Sequence, residues 1–272
     1  MEYLLLAERL RVEERQLIAA FEAIDCRARL LTPAEIGSIE FGHPHGQTST
    51  GLRPDGVVII SRLHPSREAS ALLWALESGG WTVLPGAAQM DVFARRDRLY
   101  RELNRSSVRV AETVFGWGTS SVLAAVDQLG WPVELLPLDG GEPGIVVEDR
   151  EGAEAVVEHR AVLGREHALL VRHGAAQSES RRLLIAGDEV FPALSSGESD
   201  WTPDPATPAD LEVAGQVSAA IGSPLLDISY VPGDGVVFNV TPLLSFRTIQ
   251  SDESDVAAAI ARCAGEAEVA HG

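Results

Sequence analysis

The sequence predicts an α/β fold that becomes α+β in its second half, and three observations predict it. Tyr3–Leu6 and Val57–Ile60 are continuous apolar runs, as fully buried parallel strands should be. Segments of helical period alternate with them through the first third. Later strands come in pairs around glycine-bearing turns.

The elements follow in order. Tyr3–Leu6 opens as a strand, and Glu13–Ile24 is a helix with Leu17, Ile18, Phe21 and Ile24 on one face. Arg27–Leu31 is the next strand. Thr32-Pro33-Ala34-Glu35 is a capping box with proline at the first helical position. Val57–Ile60 is followed by a helix over Ser66–Ser78, ended by Gly79-Gly80, and a strand at Trp81–Leu84. One long helix is expected over Ala87–Asn104, then a strand at Val108–Val114, a turn at Gly116-Trp117-Gly118 and a helix from Ser120 to Leu129. Strands Val133–Leu138 and Ile145–Glu148 flank the glycine-rich loop Asp139–Gly144, and Arg150–Leu163 is helical. The last third places strands at Ala168–Val171, Arg182–Ala186 and Glu189–Ala193, the latter two joined at Gly187-Asp188. Ser195–Pro208 reads as a loop and Thr207 as the cap of a helix to Ile221. Leu225–Val231 and Val236–Val240 form a hairpin, and a final helix covers Ser254–Ala264.

Composition bounds function. Apolar residues make up 45% of the 272, enough for a substantial core. No run approaches the roughly 18 apolar residues of a membrane span, and the N-terminus does not read as a signal peptide. Cys26 and Cys263 match no metal spacing and are expected reduced, in a cytoplasmic location. A net charge of −18 disfavours nucleic acid, anionic membranes and acidic proteins as partners, although the total leaves room for one basic lobe. All 22 basic residues are arginine. A chain without lysine has no Schiff-base chemistry, no lysine nucleophile and no Walker lysine.

Four segments carry a resemblance through their order and spacing. Asp149-Arg150-Glu151 with Ala153-Glu154-Ala155-Val156 looks like a helix following a glycine-rich loop, and Gly187-Asp188-Glu189-Val190 like a hairpin. Leu226-Asp227-Ile228 and Phe238-Asn239-Val240-Thr241 look like two metal-bearing strands. Together, over nearly the whole chain, they resemble the ATP-grasp carboxylate–amine ligases of the LysX and RimK type. The resemblance implies a Rossmann-like lobe over 1–86, a middle lobe with the glycine-rich loop over 87–165 and a C-terminal lobe over 166–272. It also implies ATP and magnesium as cofactors, since these ligases make an acyl phosphate that an amine then displaces.

Carried over residue by residue, the implied nucleotide site comprises Gly140, Gly141, Gly144, Arg172, His173, Gly174 and Arg182, and the implied metal positions are Asp227, Asn239 and Thr241. The departures are as informative. The two phosphate-binding lysines fall at Val92 and Leu136, and the acidic hinge residue falls at Arg172. The metal glutamate and asparagine fall at Asn239 and Thr241, so Asp227 alone keeps its type. Asp139 and Glu142 add negative charge beside the loop that would cover a triphosphate. The substrate-contacting arginine-and-glycine segment looks deleted between Ser199 and Pro208. No catalytic residue is assigned.

Plainer readings stand beside each of these. Asp227 also reads as a strand-end carboxylate paired locally, the three glycines as a hairpin turn, and Arg181 with Arg182 as solvated strand positions. His43-Pro44-His45 has H-x-H spacing without a third ligand, and His159, His167 and His173 are scattered. Gly116–Ser120 is an anion-binding helix start or, in register with the family, an ordinary turn. With three glycines and no apolar anchor, the Asp139–Gly144 loop is expected to be mobile.

The leading expectation is a ligase relative that has lost catalysis and binds or regulates, beside an active ligase relative. The alternative is a working ligase whose implied partner is an amino-group carrier protein of lysine biosynthesis. A third is an unrelated small-molecule binder using the cleft between lobes. Homo-oligomerisation is left open.

Overall fold

The N-terminal strands pair as their unbroken apolar runs predict. The structure, a computed structural model, describes residues 2–39, 51–54, 56–163, 168–174, 180–195, 201–251 and 254–269. His43-Pro44-His45 and His167 lie outside them.

β1 (Glu2–Leu6), α1 (Val12–Ala23), β2 (Arg27–Leu31), α2 (Pro33–Ile36), β3 (Val57–Ser61), α3 (Arg67–Ser78) and β4 (Thr82–Leu84) form the first unit. Its sheet has the order β2-β1-β3-β4 and is parallel throughout. Alternate residues of each buried strand pack on opposite faces. Leu4, Leu6 and Ile59 meet Leu73 and Leu76 of α3, while Tyr3, Leu5 and Ile60 meet Phe21 of α1 and residues of the C-terminal unit. The capping box at Thr32 forms as read, although the helix it starts is only four residues long.

The second unit begins with α4 (Ala87–Phe93) and α5 (Arg96–Arg105), then β5 (Thr113–Trp117), α6 (Thr119–Leu129), β6 (Val133–Pro137), β7 (Ile145–Val147), α7 (Arg150–Val162) and β8 (Ala168–His173). Two expectations change here. The single helix over Ala87–Asn104 is broken at Ala94-Arg95, where Arg95 is extended. The break has a cause: the Gly140 amide donates to the Ala94 carbonyl at 3.0 Å, and the Arg96 amide donates to the Leu138 carbonyl at 2.9 Å. The expected strand at Val108–Val114 lies instead at Thr113–Trp117 and takes in the supposed turn. Gly116 permits this, because a Cβ there would collide with Val122 of α6.

The second sheet is antiparallel with the order β5-β8-β6-β7. β8 pairs with both β5 and β6. The sheet built on middle-lobe strands therefore extends past residue 165, where the sequence reading ended that lobe. α6 and α7 cover one face through Val122, Val126 and Val157. The other face turns toward α5 and the third unit.

That unit contains β9 (Arg181–Ala186), β10 (Glu189–Ser195), β11 (Trp201–Pro203), α8 (Pro208–Ile221), β12 (Leu225–Val231), β13 (Val236–Thr241) and α9 (Val256–Val269), with sheet order β11-β10-β9-β12-β13. β11 lies where only loop was expected and pairs with β10. The hairpin at Gly187 is confirmed, with φ +61 at the glycine. One sheet face packs on α9 and the N-terminal unit; the other packs on α5 and α8. Arg62, just beyond β3, joins the units: it pairs with Glu14 of α1 at 3.2 Å and donates to the Leu244 carbonyl at 2.7 Å.

Candidate functional site

A cavity of about 540 Å³ lies where the three units meet. Its walls come from α5, the open face of the middle sheet and the β9–β12–β13 surface. Strand alternation decides which side chains reach it. On β6, Val133 and Leu135 face the helices, so Glu134 and Leu136 face the cavity. On β9, Arg182 and Arg181 point to opposite faces, and both are buried, at 9% and 7% exposure. The expectation that these two arginines are solvated is therefore wrong.

Arg182 meets Asp227. Its Nε donates to Asp227 Oδ1 at 2.8 Å, and its Nη2 donates to Oδ2 in a second, close contact. Asp227 is 3% exposed and also faces the Ser245 amide at 3.5 Å. Trp201 of β11 lies over the guanidinium, 5.6 Å from it to the ring centroid. Asp227 pairs in register with Thr241, and Ser229 with Asn239, so all three implied metal positions line the cavity. Among the described residues, no group of three or more histidine, cysteine or acidic side chains is placed to hold a metal ion.

Arg172 stands on β8, in register between Thr113 of β5 and Glu134 of β6. It is 7% exposed and pairs with Glu134, and its Nη1 donates to the Phe238 carbonyl and, at 3.2 Å, to the Tyr100 hydroxyl. Burial opposes its charge, but Tyr100 and Glu134 more than offset that and hold its pKa above the ordinary arginine value. The side chain thus ties the middle sheet to β13 and α5. His173 is exposed and Gly174 packs against Pro132; neither lines the cavity.

The glycine-rich loop is held by its backbone. Arg96 Nη1 donates to the carbonyls of Pro137 at 2.6 Å and Asp139 at 2.7 Å. Its Nη2 donates to those of Gly140 at 3.3 Å and Glu142 at 2.5 Å. Arg160 pairs with Glu142 at 3.0 Å, and Asp139 Oδ1 accepts from the Gly141 amide at 2.8 Å. The loop expected to be mobile thus carries side-chain anchors from Arg96 and Arg160. Burial lowers the Arg96 pKa, and the charges of Tyr100, Glu134 and Asp139 offset this only in part. Gly140 and Gly144 line the cavity, whereas Gly141 lines a separate groove with Ser66, Asp139 and Glu142. Leu136 is buried in the cavity wall, and Val92 packs into the core around α5 and β12.

Glu134, Arg96, Tyr100 and Trp201 were not among the sequence-derived candidates. Glu134 had a readable signal, a carboxylate in strand phase with Leu136. The other three are brought in by the α4–α5 break and the short β11, neither of which the hydrophobic pattern discloses.

No protein-family profile matches the chain, and no curated protein sequence matches it. Solved structures do. A RimK domain ATP-grasp protein from Sphaerobacter thermophilus is 34% identical, with a TM-score of 0.82, over 97% of this chain and 99% of that one. The ATP-grasp ligase PsnB, complexed with a phosphomimetic variant of its minimal precursor, Mg and ADP, is 11% identical with a TM-score of 0.70 over 98% of both chains. The macrocyclase MdnC of Microcystis aeruginosa, bound with precursor peptide MdnA, is 14% identical with a TM-score of 0.71 over 96% of this chain and 98% of that one. The last two share the fold alone. With the identity, coverage and topology of the first, the chain belongs to the RimK-domain ATP-grasp proteins.

Proposed function

We propose that this ATP-grasp chain is a binding or regulatory relative of the RimK-type ligases that does not ligate through Mg·ATP. One observation carries the reading: both oxygens of Asp227, the one acidic residue kept among the implied metal positions, are engaged by the guanidinium of Arg182. An arginine in that geometry supplies the positive charge that a divalent cation would bring, and a bidentate pair leaves the carboxylate little capacity for a second cation.

Two further features support it. The phosphate-facing position on β6 is the buried apolar Leu136, and the hinge position is Arg172, already committed to Glu134 and the Phe238 carbonyl. The residues present therefore do not fit a magnesium–nucleotide, and no chemical step is assigned through one. What they do supply is a cavity with paired charges and the neutral hydrogen-bonding groups Ser229, Asn239, Thr241 and Ser245.

Incubation with Mg·ATP, the common amino acids and a mixed acidic peptide pool tests the reading. Phosphate release should equal the protein-free rate. Release that depends on an acceptor would overturn it.

A further inference from the structure

The middle sheet has an outer edge that the cavity does not use. β5 pairs with β8 alone, and among the described residues no strand lies on its far side. The ladder fixes which amides point there. The His173 amide donates to the Glu112 carbonyl, so every second pair from this point is hydrogen-bonded, and the amides and carbonyls of Thr113 and Phe115 turn outward. At the end of the strand, Ser121 Oγ accepts from the Trp117 amide at 3.2 Å, which closes the edge there. The same strand exposes two large aromatics, Phe115 at 50% and Trp117 at 69%. A free edge bearing exposed aromatics is what proteins ordinarily cover or blunt with charge.

Charge indicates what covers it. Although the chain carries −18 overall, residues 95–109 hold six arginines against two carboxylates. Arg101 and Arg105 of α5 share the single carboxylate Glu102, at 2.9 and 3.9 Å. They line a groove of about 620 Å³ with Tyr100, Asn104, Phe115, Leu170 and Asp97, the last a carboxylate already paired with Arg95 at 2.8 Å. Tyr100 also lines the central cavity, so the groove and the cleft adjoin.

We infer that the β5 edge and this groove form a docking site for an acidic peptide, which adds to the sheet as an extended strand. Its backbone pairs with Thr113 and Phe115. Alternate side chains fall on the open face, where an apolar residue packs on Phe115 and Leu170 and a carboxylate meets Arg101 and Arg105. The inference does not depend on nucleotide binding, so it stands or falls apart from the function proposed above.

Fluorescence anisotropy with a labelled decapeptide repeating Glu-Glu-Val-Val, which puts both residue types on each face of a strand, tests it. Binding should be saturable and should weaken with salt. A lysine-for-glutamate version of the peptide should not bind. Arg101→Gln with Arg105→Gln, both exposed positions, should weaken binding by about tenfold, as losing two favourable charge contacts does. Phe115→Pro removes an outward amide and leaves the β8 ladder intact, and it should abolish binding. Because that variant can also perturb the strand, a peptide N-methylated at every residue, so that neither of its edges can donate, provides an independent check and should bind at least tenfold more weakly, since edge pairing supplies its main-chain hydrogen bonds. Equal binding of the glutamate and lysine peptides, or full binding of the N-methylated one, would overturn the inference. So would a dimer in sedimentation that the two glutamine substitutions dissolve, because the face would then belong to a second copy of the chain.

Discussion

Arg182 and Asp227 form a buried bidentate ion pair across β9 and β12, at the position where the fold's resemblance places a metal carboxylate. Removing one partner leaves the other charged and buried. Asp227→Ala should therefore destabilise the protein by about 3–5 kcal/mol. Replacing both with leucine should cost much less than that. Urea unfolding of the two variants checks this, and equal losses would show that the pair is not coupled.

Arg96 links α5 to four carbonyls of the glycine-rich loop. Arg96→Met keeps much of the apolar stem and removes the donors. Loss should be about 2–3 kcal/mol, the scale of hydrogen bonds from a charged group. Amide exchange over residues 138–146 should rise more than elsewhere, since the anchors are local to that segment.

These anchors also mark where sequence reading stopped. The parallel strands, the Thr32 and Thr207 caps and the Gly187 hairpin are local patterns, and each could be read from neighbouring residues. The α4–α5 break could not. Val92, Phe93, Leu99 and Tyr100 keep helical spacing across it, and its cause is a loop more than 40 residues away. The site divides in the same way. Arg172, Arg182 and Asp227 were identifiable as positions, but the ion pairs that engage them come from partners 38 and 45 residues distant. Residue type alone cannot reveal that a cation is already spoken for.

On the opposite face of the same sheet, Asp210 accepts from Arg181, Thr207 and Tyr230. Burial raises its pKa, but the bonds from Tyr230, Thr207 and Arg181 outweigh this and hold it below the ordinary carboxylate value. A depressed folded pKa contributes stability that is present above the unfolded value and lost as pH falls through the folded one. Stability of the native protein should thus fall on acidification below about pH 4 partly through Asp210. Asp210→Asn should be less stable near neutrality and have a shallower acid limb in urea titrations run from pH 6 to pH 2.

Cys263 sits in α9 at 6% exposure, and burial pushes its thiol pKa up to about 11. Reaction needs the thiolate and access to it. At pH 8 a disulfide reagent should label native Cys263 far more slowly than the urea-unfolded chain. A Cys26→Ala background isolates that signal.

Calorimetric titration of the native protein with Mg·ATP tests the central claim most directly. If the Arg182–Asp227 and Arg172–Glu134 pairs close the cleft to a magnesium–nucleotide, no saturable heat should appear up to millimolar nucleotide, with or without magnesium. Micromolar binding that requires magnesium would mean that Asp227 exchanges its arginine for the metal, and the account of this cleft would be wrong.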